Sequence, residues 1–248
     1  MPFTPAHPLA VLPLWRTRLP LSALVAGSMV PDVPVFSRSA DTYEVTHGPV
    51  GIVTVDVVLG IAALWLWFVV LRDPLADLAP ATVRDRVPPT GRLARRRWPW
   101  VVPALVIGAL SHVAWDEVTH PGRWGSRHVA WLADLHGPMA GALWLQYVSG
   151  VVGTAAVVAL AVVAVLRRSP EPRGPRVLPA GTIHVVVALA GAVSLVSVAV
   201  HRHDPVMAIA FHGVVHSMLA GAAAVLVAAG TWHLARQGKE ERQRGLGG

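Results

Sequence analysis

The sequence predicts an all-α fold: a polytopic transmembrane helix bundle of five to six spans, with a short N-terminal or re-entrant segment. Three observations predict it. Of the 248 residues, 54% are hydrophobic and only 14% are charged, against about 25% charged in soluble domains. The mean hydropathy is +0.53. Five apolar stretches run about 20 residues or more, enough to cross a hydrocarbon core of about 30 Å at about 1.5 Å per residue.

Along the chain, the first apolar segment is the weak one, Leu19–Phe36. It is short and ends in Pro31-Asp32-Val33-Pro34. Proline fixes φ and removes a backbone donor, so this segment is either a short span or a re-entrant element. Irregular backbone at that depth survives only where it is buried in protein or lines a cavity. The first strong span, Val50–Leu71, follows Thr46-His47-Gly48-Pro49 and carries Asp56 among Val, Ile and Leu. The others are Trp98–Val118, Met139–Leu166, Ala180–Val200 and Val206–Trp232. Trp65, Trp67, Trp98, Trp100, Trp131 and Trp144 lie near the expected interfaces, where indole rings anchor membrane proteins.

Arginine sets the expected orientation. Arg72, Arg84, Arg86, Arg92, Arg95, Arg96 and Arg97 crowd one loop. Arg167, Arg168, Arg173 and Arg176 occupy another, and Arg236, Lys239, Arg242 and Arg244 the tail. By the positive-inside rule all three are cytoplasmic. Arg16 and Arg18 fit a cytoplasmic N-terminus if the weak segment spans. The expectation is therefore a multi-pass protein of the bacterial cell (inner) membrane with its C-terminus in the cytoplasm. Residues 1–236 read as a single integral-membrane helical domain, 72–98 as its Arg-rich cytoplasmic loop, and 237–248 as a disordered tail. The stretch Arg84–Arg97 and the tail read as mobile linkers.

The formal charge is +7. It falls between apolar segments rather than along one face, so membrane lipid rather than nucleic acid is the expected partner. The start, Met-Pro-Phe-Thr-Pro-Ala-His-Pro, has no basic n-region and does not read as a signal peptide. There is no Cys, which excludes disulfides and thiolate metal sites. No Walker loop, Gly-x-Ser-x-Gly elbow or His-Glu-x-x-His pair occurs. Three His-Gly steps, at His47, His136 and His212, form a weak internal echo.

The most informative stretch is Gly108-Ala-Leu-Ser-His-Val-Ala-Trp-Asp-Glu-Val-Thr-His120. It carries His112, Asp116 and His120 in and at the end of an apolar span. Ionisable groups are expensive in hydrocarbon and usually face a protein interior or wet cavity. Spacings of four and eight place all three within about 80° of one helical face. His112 and Asp116 are about 6 Å apart along the axis and can share one ion. His120, about 12 Å from His112, is better placed to serve a second ion, with Asp116 between. The other reading is a His bonded to a neighbouring helix and neutralised by Asp116. Asp32, between two prolines, is a rigid carboxylate at the membrane surface. His47 opens a span. Asp56 either orients a ligand His or bridges helices. His212 and His216 form another four-residue pair, suited to a second metal, a proton relay or haem.

These motifs together carry a resemblance. Met1-Pro-Phe-Thr-Pro-Ala-His-Pro8, Leu21-Ser-Ala-Leu-Val-Ala-Gly-Ser-Met-Val-Pro-Asp32, Thr46-His47 and Gly108 to His120 resemble a bacterial family of polytopic membrane proteins classed as a domain of unknown function. Where that family carries a Gln-His pair, this chain has Gln146-Tyr147. The pattern is also similar to a wider group of predicted membrane-bound metal-dependent hydrolases, in which an early His, a Pro-Asp, a Thr-His and a Ser-His-x-x-x-Asp recur in order. That resemblance implicates His7, Asp32, His47, His112 and Asp116 as metal ligands. A more distant resemblance, to zinc-dependent phospholipase C, adds His120.

The expected function is a membrane-embedded hydrolase with a divalent metal, zinc before manganese or iron, acting on a lipid or phospho-ester substrate at the outer membrane face. Asp56 or Glu117 would act as base or orienter. Two alternatives use the same residue types: an ion or proton transporter with the His/Asp stripe as relay, and a haem-binding membrane protein with bis-His ligation.

Overall fold

The computed structural model describes residues 4–37, 40–88, 91–171 and 173–245. Met1-Pro-Phe of the N-terminal motif lies outside them. The helices, in chain order, are α1 (Pro8–Val11), α2 (Leu21–Gly27), α3 (Val33–Ser37), α4 (Ala40–Thr46), α5 (Pro49–Val53), α6 (Val55–Trp65), α7 (Arg72–Leu78) and α8 (Ala81–Arg84). They continue with α9 (Val101–Thr119), α10 (Trp124–His128), α11 (Ala130–Ala133), α12 (Gly141–Leu166), α13 (Thr182–Val200) and α14 (Val206–Gly245). Two two-residue strands, β1 (Leu135–His136) and β2 (Met139–Ala140), pair antiparallel between α11 and α12.

Among the described residues, five segments are long and apolar enough to cross a membrane: Val55–Leu78, Arg95–His128, Gly141–Leu166, Thr182–Val200 and Ala208–Arg242. The chain is an all-α membrane protein. The sixth candidate, Leu21–Val35, is shorter. A continuous helix of that length would reach about 22 Å, short of a core of about 30 Å. It is also broken by a 3₁₀ turn over Val30–Asp32, at Pro31.

Residues expected to form one domain separate into two compact units. One comprises Met1–Leu64 with Leu93–Ala164, the other Trp65–Arg92 with Val165–Gly248.

In the first unit, α2 packs on α9 through small residues. Ala23, Leu24, Ala104, Leu105 and Ala109 are fully buried there. The backbones approach so closely that a Cβ on Gly27 would strike the Leu105 carbonyl oxygen. A Cβ on Gly108 would strike the Leu24 carbonyl oxygen and come within 2.7 Å of the Ser28 nitrogen. Small residues at such contacts let membrane helices pack by van der Waals complementarity alone. Thr46, at the end of α4, is buried, and its hydroxyl donates to the carbonyl of Pro31 over 2.8 Å. That bond joins the Thr46-His47 motif to the Pro31-Asp32 turn.

In the second unit, α13 and α14 form a long antiparallel hairpin. Ser217 Oγ donates to the Ala190 carbonyl (3.1 Å) and Ser194 Oγ to the Gly213 carbonyl (3.3 Å). The Arg-rich region is not a free linker here. Asp77 accepts from Arg84 Nε (3.0 Å), Trp232 Nε1 (2.9 Å) and the Val177 backbone N–H (2.9 Å). Arg84 also donates to the Gly174 carbonyl and Arg173 to that of Val87, both at 2.6 Å. A buried carboxylate must find donors, and Arg84 supplies one to Asp77. The tail expected to lack order continues α14 to Gly245. Between Gly238 and Gly245 its residues are good helix formers, and Arg236 pairs with Glu240 one turn on at 2.9 Å.

The His-Gly echo does not mark a repeated structure. Gly48 is the extended N-cap of α5, Gly137 sits at φ 74° in the β1–β2 turn, and Gly213 lies inside α14.

Candidate metal centre

The core of the site is Asp32, His47, His112 and Asp116. One ligand atom from each lies within 4.8 Å of all the others, and all four residues are buried. Three parts of the chain converge to build it: the 3₁₀ turn before α3, the α4–α5 junction, and two successive turns of α9.

Each imidazole is oriented from behind. His112 Nδ1 lies 2.8 Å from the carbonyl of Ser28, and His47 Nδ1 lies 2.9 Å from the carbonyl of Tyr43. A carbonyl can only accept, so Nδ1 donates in both rings, and in the neutral imidazole Nε2 then keeps its lone pair. Metal-binding histidines are held in this way.

Both Nε2 atoms point at carboxylates. His112 Nε2 is 3.5 Å from Asp32 Oδ1 and 3.5 Å from Asp116 Oδ2. His47 Nε2 is 3.4 Å from Asp116 Oδ2 and 3.9 Å from Asp32 Oδ1. These atoms are buried, and His47 Nε2, His112 Nε2 and Asp116 Oδ1 have no hydrogen-bond partner. The separations are too long for good hydrogen bonds. They are close to the spacing of about 3.4 Å between ligands in a tetrahedral site with bonds of about 2.05 Å. Buried imidazole nitrogens facing buried carboxylate oxygens at these separations fit a divalent cation of the borderline kind that takes nitrogen and oxygen.

Two more histidines flank Asp116. His7 Nε2 lies 3.7 Å from Asp116 Oδ1, and its ring stacks on His112 with centroids 3.7 Å apart. Burial pushes the His7 imidazole down to about 4. A neutral ring there keeps a lone pair to donate. His120 Nδ1 lies 3.4 Å from the same Oδ1, and the His120 side chain is the more exposed of this pair. Asp116 thus turns Oδ2 to the quartet and Oδ1 to His7 and His120. Thr4 Oγ1 donates to Asp32 Oδ2 over 2.5 Å, which fixes that carboxylate.

The remaining candidates go elsewhere. Glu117 lies one residue on from Asp116, and successive residues of a helix do not face the same way. Its Oε2 accepts from the Trp124 backbone N–H (2.9 Å) and its Oε1 lies 3.5 Å from Arg123. Asp56 is buried outside the quartet, and neither of its oxygens has a hydrogen-bond partner. His128 and His136 rest on the carbonyls of Trp124 and Trp131 in exposed positions. His212 and His216 belong to the second unit.

A family model described as Domain of unknown function (DUF4184) matches residues 1–231. The chain belongs to the DUF4184 family. No curated protein and no solved structure matches it. The match spans all of the site residues of this DUF4184 chain.

Four residues that support the DUF4184 site, Gln146, Tyr43, Ser28 and Thr4, are not assigned that role by the sequence. Gln146 is buried in α12, with Nε2 2.6 Å from His120 Nε2. An amide alone in an apolar helix was the available signal, since a buried amide needs a partner. Tyr43 and Ser28 contribute only carbonyls, which any residue type carries. Thr4 could not be told from a surface threonine.

Proposed function

We propose that this protein is a membrane-embedded, metal-dependent hydrolase that takes a lipid or phospho-ester substrate at the outer membrane face. One observation carries the reading: two histidines whose Nε2 lone pairs face two buried carboxylates with no proton donor between them. Asp32, His47, His112 and Asp116 would hold the first ion, with zinc favoured by the nitrogen and oxygen donors. A divalent ion so held makes water a nucleophile at a pKa of about 7 and stabilises negative charge on an ester or phosphoryl oxygen.

The protein's own groups divide the remaining work. Ser28 and Tyr43 keep the rings turned. Asp116 Oδ1 and His7 supply a second pair of donors next to the first, suited to a second ion or to a substrate oxygen, while His120, whose Nε2 accepts from the Gln146 amide, turns Nδ1–H to Asp116 Oδ1. Asp56 is the carboxylate left to accept a proton, and Gln146 orients His120. Glu117 is tied to Trp124 and Arg123 and is not assigned a chemical role. The resemblance to membrane-bound metal-dependent hydrolases supports the same residues.

Metal analysis of protein purified in detergent without chelator tests this reading. Wild type is expected to carry zinc, His112→Ala and Asp116→Ala to lose it, and wild type alone to cleave bis(p-nitrophenyl) phosphate or a fluorogenic phospholipid in mixed micelles. A wild-type protein with no metal and no turnover after zinc loading would sink it.

Asp56 favours a second reading. A buried, unpaired carboxylate in a span is also what a proton or ion relay uses. Proton flux through reconstituted liposomes, lost in Asp56→Asn and independent of hydrolysis, would select transport instead.

A further inference from the structure

The second unit holds another convergence of metal-ligand groups, made of residues outside the site described above. His201, Asp204 and His212 each place a ligand atom within 4.8 Å of the other two. His201 caps the C-terminus of α13, Asp204 lies in the turn that follows, and His212 is on an early turn of α14. We propose that the α13–α14 turn is a second metal site, taking a divalent transition cation through one nitrogen each of His201 and His212 and the carboxylate of Asp204.

Four observations carry it. First, the turn is shaped to bring the groups together. The Asp204 backbone N–H donates to the His201 carbonyl over 2.8 Å, which folds the carboxylate back towards the end of α13. Second, His201 is oriented as a ligand is. Its Nδ1 lies 2.9 Å from the Ser197 carbonyl, so Nδ1 donates and Nε2 keeps its lone pair. Third, the His201 and His212 rings stack with centroids 4.0 Å apart at 16°, presenting their edges side by side. Fourth, the site sits at the carbonyl end of a 19-residue helix, where the helix dipole favours a cation.

His216 lies one turn after His212, and its Nδ1 is 2.8 Å from Ser197 Oγ. It stands behind the stacked pair and braces Ser197, the residue that orients His201. Neighbouring His203 is engaged by Arg202, whose Nε donates to it over 3.1 Å, and is not a ligand. Asp204 is exposed while His201 and His212 are half-buried. The site is therefore open on one side. Two imidazoles and one carboxylate leave coordination positions for water or a ligand, the pattern of an exchangeable rather than a sealed structural ion. An ion held there also clips the turn joining two spans.

Co²⁺ serves as the probe, because its absorption reports coordination directly. Protein stripped with chelator in detergent is dialysed against a fixed free Co²⁺ concentration, and bound metal per chain is measured. Asp204→Asn, in an exposed turn, and the His201→Ala/His212→Ala pair are each expected to bind about one equivalent fewer than wild type. Asp116→Ala is measured in parallel and leaves this equivalent in place, which separates the outcome here from that at the first centre. Co²⁺ binding equal to wild type in both turn variants would overturn the proposal.

Discussion

The ring of His112 is held by the carbonyl of Ser28, 2.8 Å from Nδ1 and 84 positions earlier in the chain. That bond forms only because α2 and α9 touch backbone to backbone at Gly27 and Gly108. It decides which nitrogen of His112 faces Asp32 and Asp116.

Gly108→Ala should therefore weaken metal binding without removing a ligand. The new methyl would meet the Leu24 carbonyl and Ser28 nitrogen, pushing Ser28 away from His112. Affinity for Zn²⁺, measured by competition with a chromophoric chelator, is expected to fall about 10–100-fold, as when an orienting partner is lost. Thermal stability should fall by about 1–3 kcal/mol, the cost of overpacking. Wild-type affinity would show that the close approach does not position His112.

Asp116→Ala should cost more than either flanking histidine. Asp116 meets His47 and His112 through Oδ2 and His7 and His120 through Oδ1. Its loss should lower Zn²⁺ affinity by at least about 100-fold, beyond the range of an orienting group. His120→Ala, at the more exposed edge, should cost less. Equal losses in the two variants would contradict the central place given to Asp116.

Thr46→Val tests the link between the two N-terminal motifs. The hydroxyl that donates to Pro31 disappears, leaving a carbonyl of the Asp32 turn without its buried partner. A stability loss of about 1–3 kcal/mol is expected in chemical denaturation, with a smaller drop in Zn²⁺ affinity than for Asp116→Ala. Unchanged stability would mean that the bond contributes nothing to placing Asp32 beside His47.

Asp77→Ala should damage the second unit alone. It removes the acceptor of Arg84, Trp232 and the Val177 N–H, leaving buried Arg84 with the Gly174 carbonyl and the more distant carboxylate of Asp85. Breaking such a pair costs about 3–5 kcal/mol. Limited proteolysis is expected to open the chain around Arg84 and around Arg176 while Zn²⁺ binding at Asp32, His47, His112 and Asp116 persists. Loss of that binding would show the two units to be coupled.

Much of this protein is written locally. Long apolar runs specify helices that cross a membrane, because hydrocarbon leaves backbone groups no other partner. The four-residue step from His112 to Asp116 puts both on one face by helical periodicity alone. The same periodicity turns Glu117 away from that face, so of the two spare carboxylates only Asp56 stays without a hydrogen-bond partner. Local reading also misjudged the Arg-rich segment and the tail, where the bonds to Asp77 and the Arg236–Glu240 pair give structure to polar chain.

What the sequence by itself determined is therefore the membrane helices and half of the buried His/Asp cluster, the half on α9. Tertiary structure alone decided the other half. Asp32 and His47 reach His112 and Asp116 through the Thr46–Pro31 bond and the contact of α2 with α9, and backbone carbonyls of Ser28 and Tyr43 choose the free ring nitrogens. The physical reason is that periodicity acts over a few residues, whereas these bonds close long loops. Their partners are main-chain atoms that every residue carries, so no side-chain pattern announces them.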